Sequence, residues 1–182
     1  MRKAGIVLVT VLALTATGAL VAPAQAVKRP ATPGRIDGLA KATRAIVVYS
    51  WSSPVGIFGF VYGFGSRPDP GMRGFAYRRL RPNSYQSGSR ADYNRWVTRP
   101  CTYGESLWKN RRVAYQHAAV IDFNYRRPVY EKGSGIFLHQ QTGGPTAGCV
   151  SLRHKDLVAV LRWLRPGTRI AMGPAGYLNN RL

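Results

Sequence analysis

Two side chains in this sequence have the types and the spacing for nucleophilic chemistry on a carbonyl. Cys149 lies in GGPTAGCVSL, and His139 lies ten residues before it in GIFLHQ. A thiol with an ordinary pKa near ~8.5 is mostly protonated at neutral pH, so it needs a base to become a thiolate. His139 is the best candidate for that base. The glycines beside the cysteine let the backbone turn sharply and bring amide N–H groups close to a ligand, where a developing oxyanion needs donors. If GIFLHQ is a strand, Phe137 and His139 share one face while Ile136 and Leu138 share the other, so the imidazole is not committed to the aliphatic side. The turn QTGGPTAG is expected to fold the two short strands back so that thiol and imidazole meet.

The remaining histidines are weaker bases by position. His154 falls at the start of a helix and His117 within a strand, and structural or surface roles are expected for both. No histidine follows His154, which excludes the papain-type order of cysteine first and histidine far downstream. The only two cysteines, Cys101 and Cys149, are 48 residues apart and the three histidines are scattered, so no zinc-ligand spacing is present and no metal or cofactor is expected. Two cysteines in an oxidising compartment also support a plain alternative, a structural Cys101–Cys149 disulfide.

The elements that must position this pair read as mainly β. Apolar, β-branched and aromatic runs at Ala45–Ser50, Val55–Phe64, Val113–Phe123, Gly135–Gln140 and Arg169–Met172 are separated by Gly, Pro, Asn and Ser clusters, and each is expected to be a strand. Leu157, Val160, Leu161 and Leu164 fall at helical spacing before Pro166-Gly167, which predicts one helix over about Arg153 to Leu164. The stretch from Ser66 to about Asn110 is rich in Gly, Pro, Arg and Tyr and is expected to be a long exposed loop capping the substrate site.

Arg2 and Lys3 precede an uncharged apolar stretch from Ala4 to about Ala22 and the sequence PAQA, the pattern of a secretory signal cleaved after Ala26. Retention of the stretch as an uncleaved membrane anchor is the alternative. Residues 27–38 read as a Pro- and Gly-rich linker, and residues 39–182 as a single domain. Either way the domain is expected outside the cytoplasm, secreted or held at the cell envelope. Among 182 residues, 27 are Lys or Arg and 7 are Asp or Glu, a formal net of +20. Such a field attracts polyanions. The Arg- and Tyr-rich stretch from Tyr77 to Arg99 would suggest RNA binding in a cytoplasmic protein, but export makes anionic cell-wall polymers the expected partners and argues against nucleic acid.

The stretch AVIDFN, and then GSGIFLHQQTGGPTAGCVSLRHKDLVAVLRWL over Gly133 to Leu164, resembles the catalytic half of the L,D-transpeptidase (YkuD-type) domain in its divergent actinobacterial branch, whose motif reads FLH and then PTAGCV. The likeness is specific over about Ala119 to Pro174 and weak before it. It implies a β-sandwich-like fold, a cysteine acyl-enzyme, and peptidoglycan stem peptides as substrate, attacked after an L-configured centre with release of a terminal D-residue. It places the family's histidine on His139, its nucleophile on Cys149, and its oxyanion donors on the backbone N–H groups around Gly148 and Cys149. The commoner pattern has Ser-His-Gly-Cys with Arg or Asn two residues after the cysteine. Here Ala147 replaces that second histidine, Ser151 stands two after the cysteine, and Gln140 rather than Gly or Ser follows the first histidine. Thr146, Gln140, Ser151 and Arg153 are the expected substrate contacts, with Arg153 a substitute for the missing arginine. Three outcomes fit these residues: an L,D-transpeptidase, an L,D-carboxypeptidase in which water resolves the same thioester, and a non-catalytic basic wall-binding protein stapled by Cys101–Cys149.

Overall fold

The computed structural model describes residues 44–179 together with the strand Ile6–Val9. The proposed signal segment, apart from that strand, and the linker lie outside the described residues, as do residues 39–43 of the domain.

Three sheets form the architecture. The first has the order β1-β2-β12-β3, where β1 is Ile6–Val9, β2 Arg44–Tyr49, β3 Gly56–Phe58 and β12 Thr168–Gly173. The central sheet has the order β11-β10-β9-β4-β5, from Val150–Leu152, Phe137–Gln140, Ala118–Ile121, Phe60–Gly65 and Tyr77–Arg79. A third, small sheet is built from β7 (Trp96–Val97), β6 (Tyr85–Ser87) and β8 (Gly104–Ser106). The protein is thus mainly β and sandwich-like, as the sequence predicted.

Period-2 alternation sorts the side chains into layers. Ile46, Val48, Ile170 and Met172 of the first sheet meet Phe60, Ala119, Ile121, Leu138, Val150 and Leu152 of the central one. Helix α1 (His154–Trp163) closes this core with Leu157, Val160 and Leu161. The opposite face of the central sheet is also buried: Tyr62, Phe64, Ala118, Val120 and Phe137 pack with Leu80, Leu107 and Tyr115. This second layer matters for function, because His139 and the thiol lie on it. At the end of α1, the Arg44 guanidinium donates to the Trp163 carbonyl and lies over its ring, placing a cation where unpaired carbonyls accumulate. Leu161 is fully buried, and Leu161→Ala is expected to lower stability by about 3 kcal/mol in denaturant unfolding, the scale of a core leucine truncation.

The structure departs from the sequence reading in five places. The run Val55–Phe64 is two strands in different sheets, broken at Gly59, where the chain crosses from one sheet to the other. The run Val113–Phe123 forms a strand only over Ala118–Ile121, because Ser66 and Arg67 instead bond the carbonyls of Tyr115 and Gln116. A second, five-residue helix α2 (Ala175–Asn179) follows β12 and seats Leu178 on Val47 and Ala171. The stretch 66–110 is not loop alone. It holds β5 to β8, with Leu80, Ser84, Gln86, Ser87, Asn94 and Leu107 buried. Strands of two or three residues leave no alternation long enough to read, and here arginines stacked on aromatic rings do much of the packing: Arg78 lies 4.1 Å over Tyr62 and Arg95 5.4 Å over Tyr125.

The fifth departure concerns the pair itself. β10 and β11 run parallel, not back on each other, with Leu138 opposite Val150 and His139 opposite Ser151. The segment 141–149 is therefore a crossover without a helix, shorter than most parallel connections.

Candidate active site

Parallel pairing still brings the thiol and imidazole to one face. Aligned residues on neighbouring strands point the same way, so His139 and Ser151 share a face, and Cys149, two residues before Ser151, shares it too. The strands lie about 4.8 Å apart. The sulfur is fixed by two backbone groups of the β10 approach: its S–H donates to the Gly135 carbonyl at 3.2 Å, and it accepts the Phe137 N–H at 3.3 Å. Loss of hydration pushes the thiol up to about 11, opposed by the Phe137 N–H and reinforced by the negative charge of Glu105. The resting sulfur is accordingly a neutral thiol.

His139 is buried and its Nδ1 is 2.7 Å from the carbonyl oxygen of Gln140. A carbonyl can only accept, so the neutral ring carries its proton on Nδ1 and leaves the lone pair of Nε2 for another partner. Burial holds this histidine below its ordinary pKa, against smaller opposing effects of the Gln140 carbonyl and Glu105. The Tyr115 ring meets the imidazole edge-on at 5.7 Å, which fixes its plane. A neutral imidazole whose Nε2 is uncommitted, on the same face as a neutral thiol, can act as a general base once the S–H turns toward it.

The loop between the strands is held by its own side chains. Thr146 donates its hydroxyl to the Cys149 carbonyl at 2.6 Å. Gly148 has φ +111°, a region that L side chains rarely adopt, and a Cβ there would stand 3.1 Å from Ile136 Cδ1. Gly148→Ala is expected to reduce acylation of Cys149 by at least about tenfold while lowering thermal stability, because the strained backbone moves the adjacent amides. Kinetics of adduct formation together with a melting curve check this.

The other expected contacts are distributed more widely. Ser151 sits beside His139 on β11. The Gln140 side chain turns away from the thiol face and accepts from His154 Nδ1 at 2.8 Å. Arg153, at the head of α1, is exposed and engaged by Asp156 at 2.7 Å. His117 is buried and bonds the Pro68 carbonyl through Nε2, and its ring lies tilted with its centroid 5.5 Å from that of His154. These two histidines belong to the layer behind β10, not to the thiol face.

Both cysteines are free, which corrects the disulfide alternative. Cys101 lies near the hydroxyls of Ser87 and Ser89, at 3.3 and 3.4 Å, and those two groups hold its thiol below the ordinary value. Each sulfur has its own set of partners, so neither needs the other. Among the described residues, no group of three His, Cys, Asp or Glu gathers as a metal site.

Sequence reasoning missed Glu105 and Tyr115. Tyr115 Oη donates to Glu105 Oε1 at 2.6 Å, and Tyr115 packs in the same apolar cluster as Phe137 and Cys149. Glu105 comes from a stretch with no regular pattern, and Tyr115 from a run expected to be a strand of which only Ala118–Ile121 is one. The one available signal was scarcity: Glu105 is one of seven acidic residues in the chain.

A family model described as the L,D-transpeptidase catalytic domain (YkuD) matches residues 29–172. No curated protein and no solved structure gives a significant match. The matched span reaches far upstream of the FLH and PTAGCV motifs and takes in the central sheet, the crossover, β11 and α1. With that span covering well over half of its length, the chain belongs to the YkuD family of L,D-transpeptidase catalytic domains.

Proposed function

We propose that this protein is an exported cysteine acyltransferase that forms a Cys149 thioester with peptidoglycan stem peptides and passes the acyl group to an amine. The observation that carries the proposal is the shared face of Cys149 and His139 on adjacent parallel strands, with His139 Nδ1 committed to the Gln140 carbonyl. The S–H that rests on Gly135 swings to His139 Nε2 and gives up its proton there. The thiolate attacks the carbonyl before a terminal D-residue, and the N–H groups of Gly148 and Cys149 take the oxyanion. The imidazolium then protonates the departing amine, leaving the thioester. An acceptor amine or water resolves it, the second giving a carboxypeptidase. No step needs a metal or cofactor.

Export is supported by Arg2, Lys3 and the apolar stretch that follows them. Without Arg2 and Lys3 the chain from Val27 keeps 25 basic against 7 acidic residues, a formal net of +18 that suits retention by anionic wall polymers, in keeping with a stem-peptide substrate. The test is intact-mass analysis of the secreted protein, unreduced, after exposure to a carbapenem. A mature chain starting at Val27 with one adduct mapped to Cys149 is the expected result. An unmodified Cys149, or an adduct on Cys101 alone, overturns the catalytic assignment.

A further inference from the structure

Glu105 lies on β8 and is half-buried; its Oε1 accepts hydrogen bonds from Tyr115 Oη at 2.6 Å and from Asn110 Nδ2 at 3.1 Å. Tyr115 is buried and meets His139 and Phe137 edge-on at 5.7 and 5.8 Å, and its cluster includes Cys149. Carboxylate, phenol and imidazole are therefore in contact in that order, and the thiol packs against the same cluster. The ion pairs among the described residues are Arg99–Asp92, Arg126–Asp122 and Arg153–Asp156. Glu105 is in none of them, in a chain with 27 basic residues.

A carboxylate with no ion-pair partner among the described residues works against the first half of an acyl transfer. It pushes the Cys149 thiol up, on top of the larger effect of burial, and so disfavours the attacking thiolate. The same charge favours any cation that enters the site. The second half of the reaction brings one, because an aliphatic amine acceptor arrives at neutral pH as an ammonium ion.

We propose that Glu105 receives the ammonium group of the acceptor and so directs the thioester toward aminolysis in preference to hydrolysis. This rests on the Cys149 acyl-enzyme reading above. The ammonium passes one proton to His139 Nε2, and its freed lone pair forms the C–N bond as the C–S bond breaks. The second N–H proton goes to the departing sulfur, restoring the thiol, and the imidazolium returns its proton to solvent. Tyr115 and Asn110 fix the other carboxylate oxygen of Glu105 throughout.

The experiment compares two acceptors on a stem tetrapeptide donor ending in a D-residue: methylamine, charged at neutral pH, and hydroxylamine, mostly uncharged. In Glu105→Gln the ratio of methylamide to hydrolysed product is expected to fall about fivefold, the scale of a half-exposed ion pair. Hydroxamate formation should hold steady, carbapenem acylation of Cys149 should be as fast or faster, and Glu105→Asp should restore part of the methylamine preference. In the unmodified protein, rising salt should erode the methylamine ratio and spare hydroxylamine, a measurement that needs no variant to fold. Equal effects on both acceptors, or indifference of the methylamine ratio to salt, overturn the role of Glu105. A wild-type chain that takes no adduct at Cys149 overturns the acyl-enzyme reading instead, so the two failures are distinct.

Discussion

Cys149→Ala is expected to abolish carbapenem adduct formation and to lower transfer from a stem-peptide donor by a factor of about 10⁵, since acyl transfer without its nucleophile retains only what binding and the oxyanion donors supply. The fold should survive. The sulfur makes two contacts to the backbone of one strand approach, the S–H to Gly135 and the bond from Phe137 N–H, and alanine occupies the same extended position. A stability loss of about 1–2 kcal/mol is the expected scale for leaving those groups unpaired. A melting curve beside the mass spectrum separates loss of chemistry from loss of structure. An adduct that persists on the alanine variant would assign the reactive thiol to Cys101, the more acidic of the two.

His139→Ala should lower the rate of Cys149 acylation at neutral pH by about 10³, within the range for a positioned general base. The pH dependence carries the sharper test. In the native protein both groups rest neutral: burial keeps the thiol near 11 and the imidazole below its usual value. The base works when unprotonated, so acylation should be flat through neutral pH and decline only as acid protonates His139, at a pH below about 6.5, its ordinary pKa. Without the imidazole the thiol must ionise unaided, and the rate should climb steadily with pH toward the thiol's own pKa. A variant with the native flat profile would show that His139 is not the base. A native profile rising through pH 8–9 would mean the thiol ionises on its own.

The two effects share one structural origin. A preformed thiolate–imidazolium pair would need the sulfur in a polar, donor-rich setting. Here the sulfur lies against the Tyr115 and Phe137 cluster, facing one N–H and one carbonyl. The surroundings favour transfer of the proton during attack over separation of charge beforehand.

The residues of this chain announced its family and its strand faces more clearly than its connections. The alternation in GIFLHQ put Phe137 and His139 on one face and Ile136 and Leu138 on the other, and those four side chains do divide between the two apolar layers in that way, because a strand's period of two is imposed by the backbone itself. The spacing of Leu157, Val160 and Leu161 gave α1 to within a residue at each end, since a 3.6-residue stripe must face a core. The motif around Cys149 was enough to place the chain in its family.

What the sequence could not determine depends on contacts between distant segments. The parallel pairing of β11 with β10 was not legible in the turn residues of the crossover 141–149, whose glycines and proline fit a tight return equally well. The break at Gly59 depends on which sheet can accept each half of an apolar run whose local pattern is continuous. Glu105 lies in a stretch without periodicity and Tyr115 in an apolar run whose strand begins only at Ala118, yet Leu107 and Trp108 anchor one to the layer that holds the other. Local pattern reports the backbone's own periodicities, and these sufficed for the strand faces and for α1. The carboxylate bonded to Tyr115, behind the imidazole's ring neighbour, is a product of long-range packing, and only the tertiary structure brings it there.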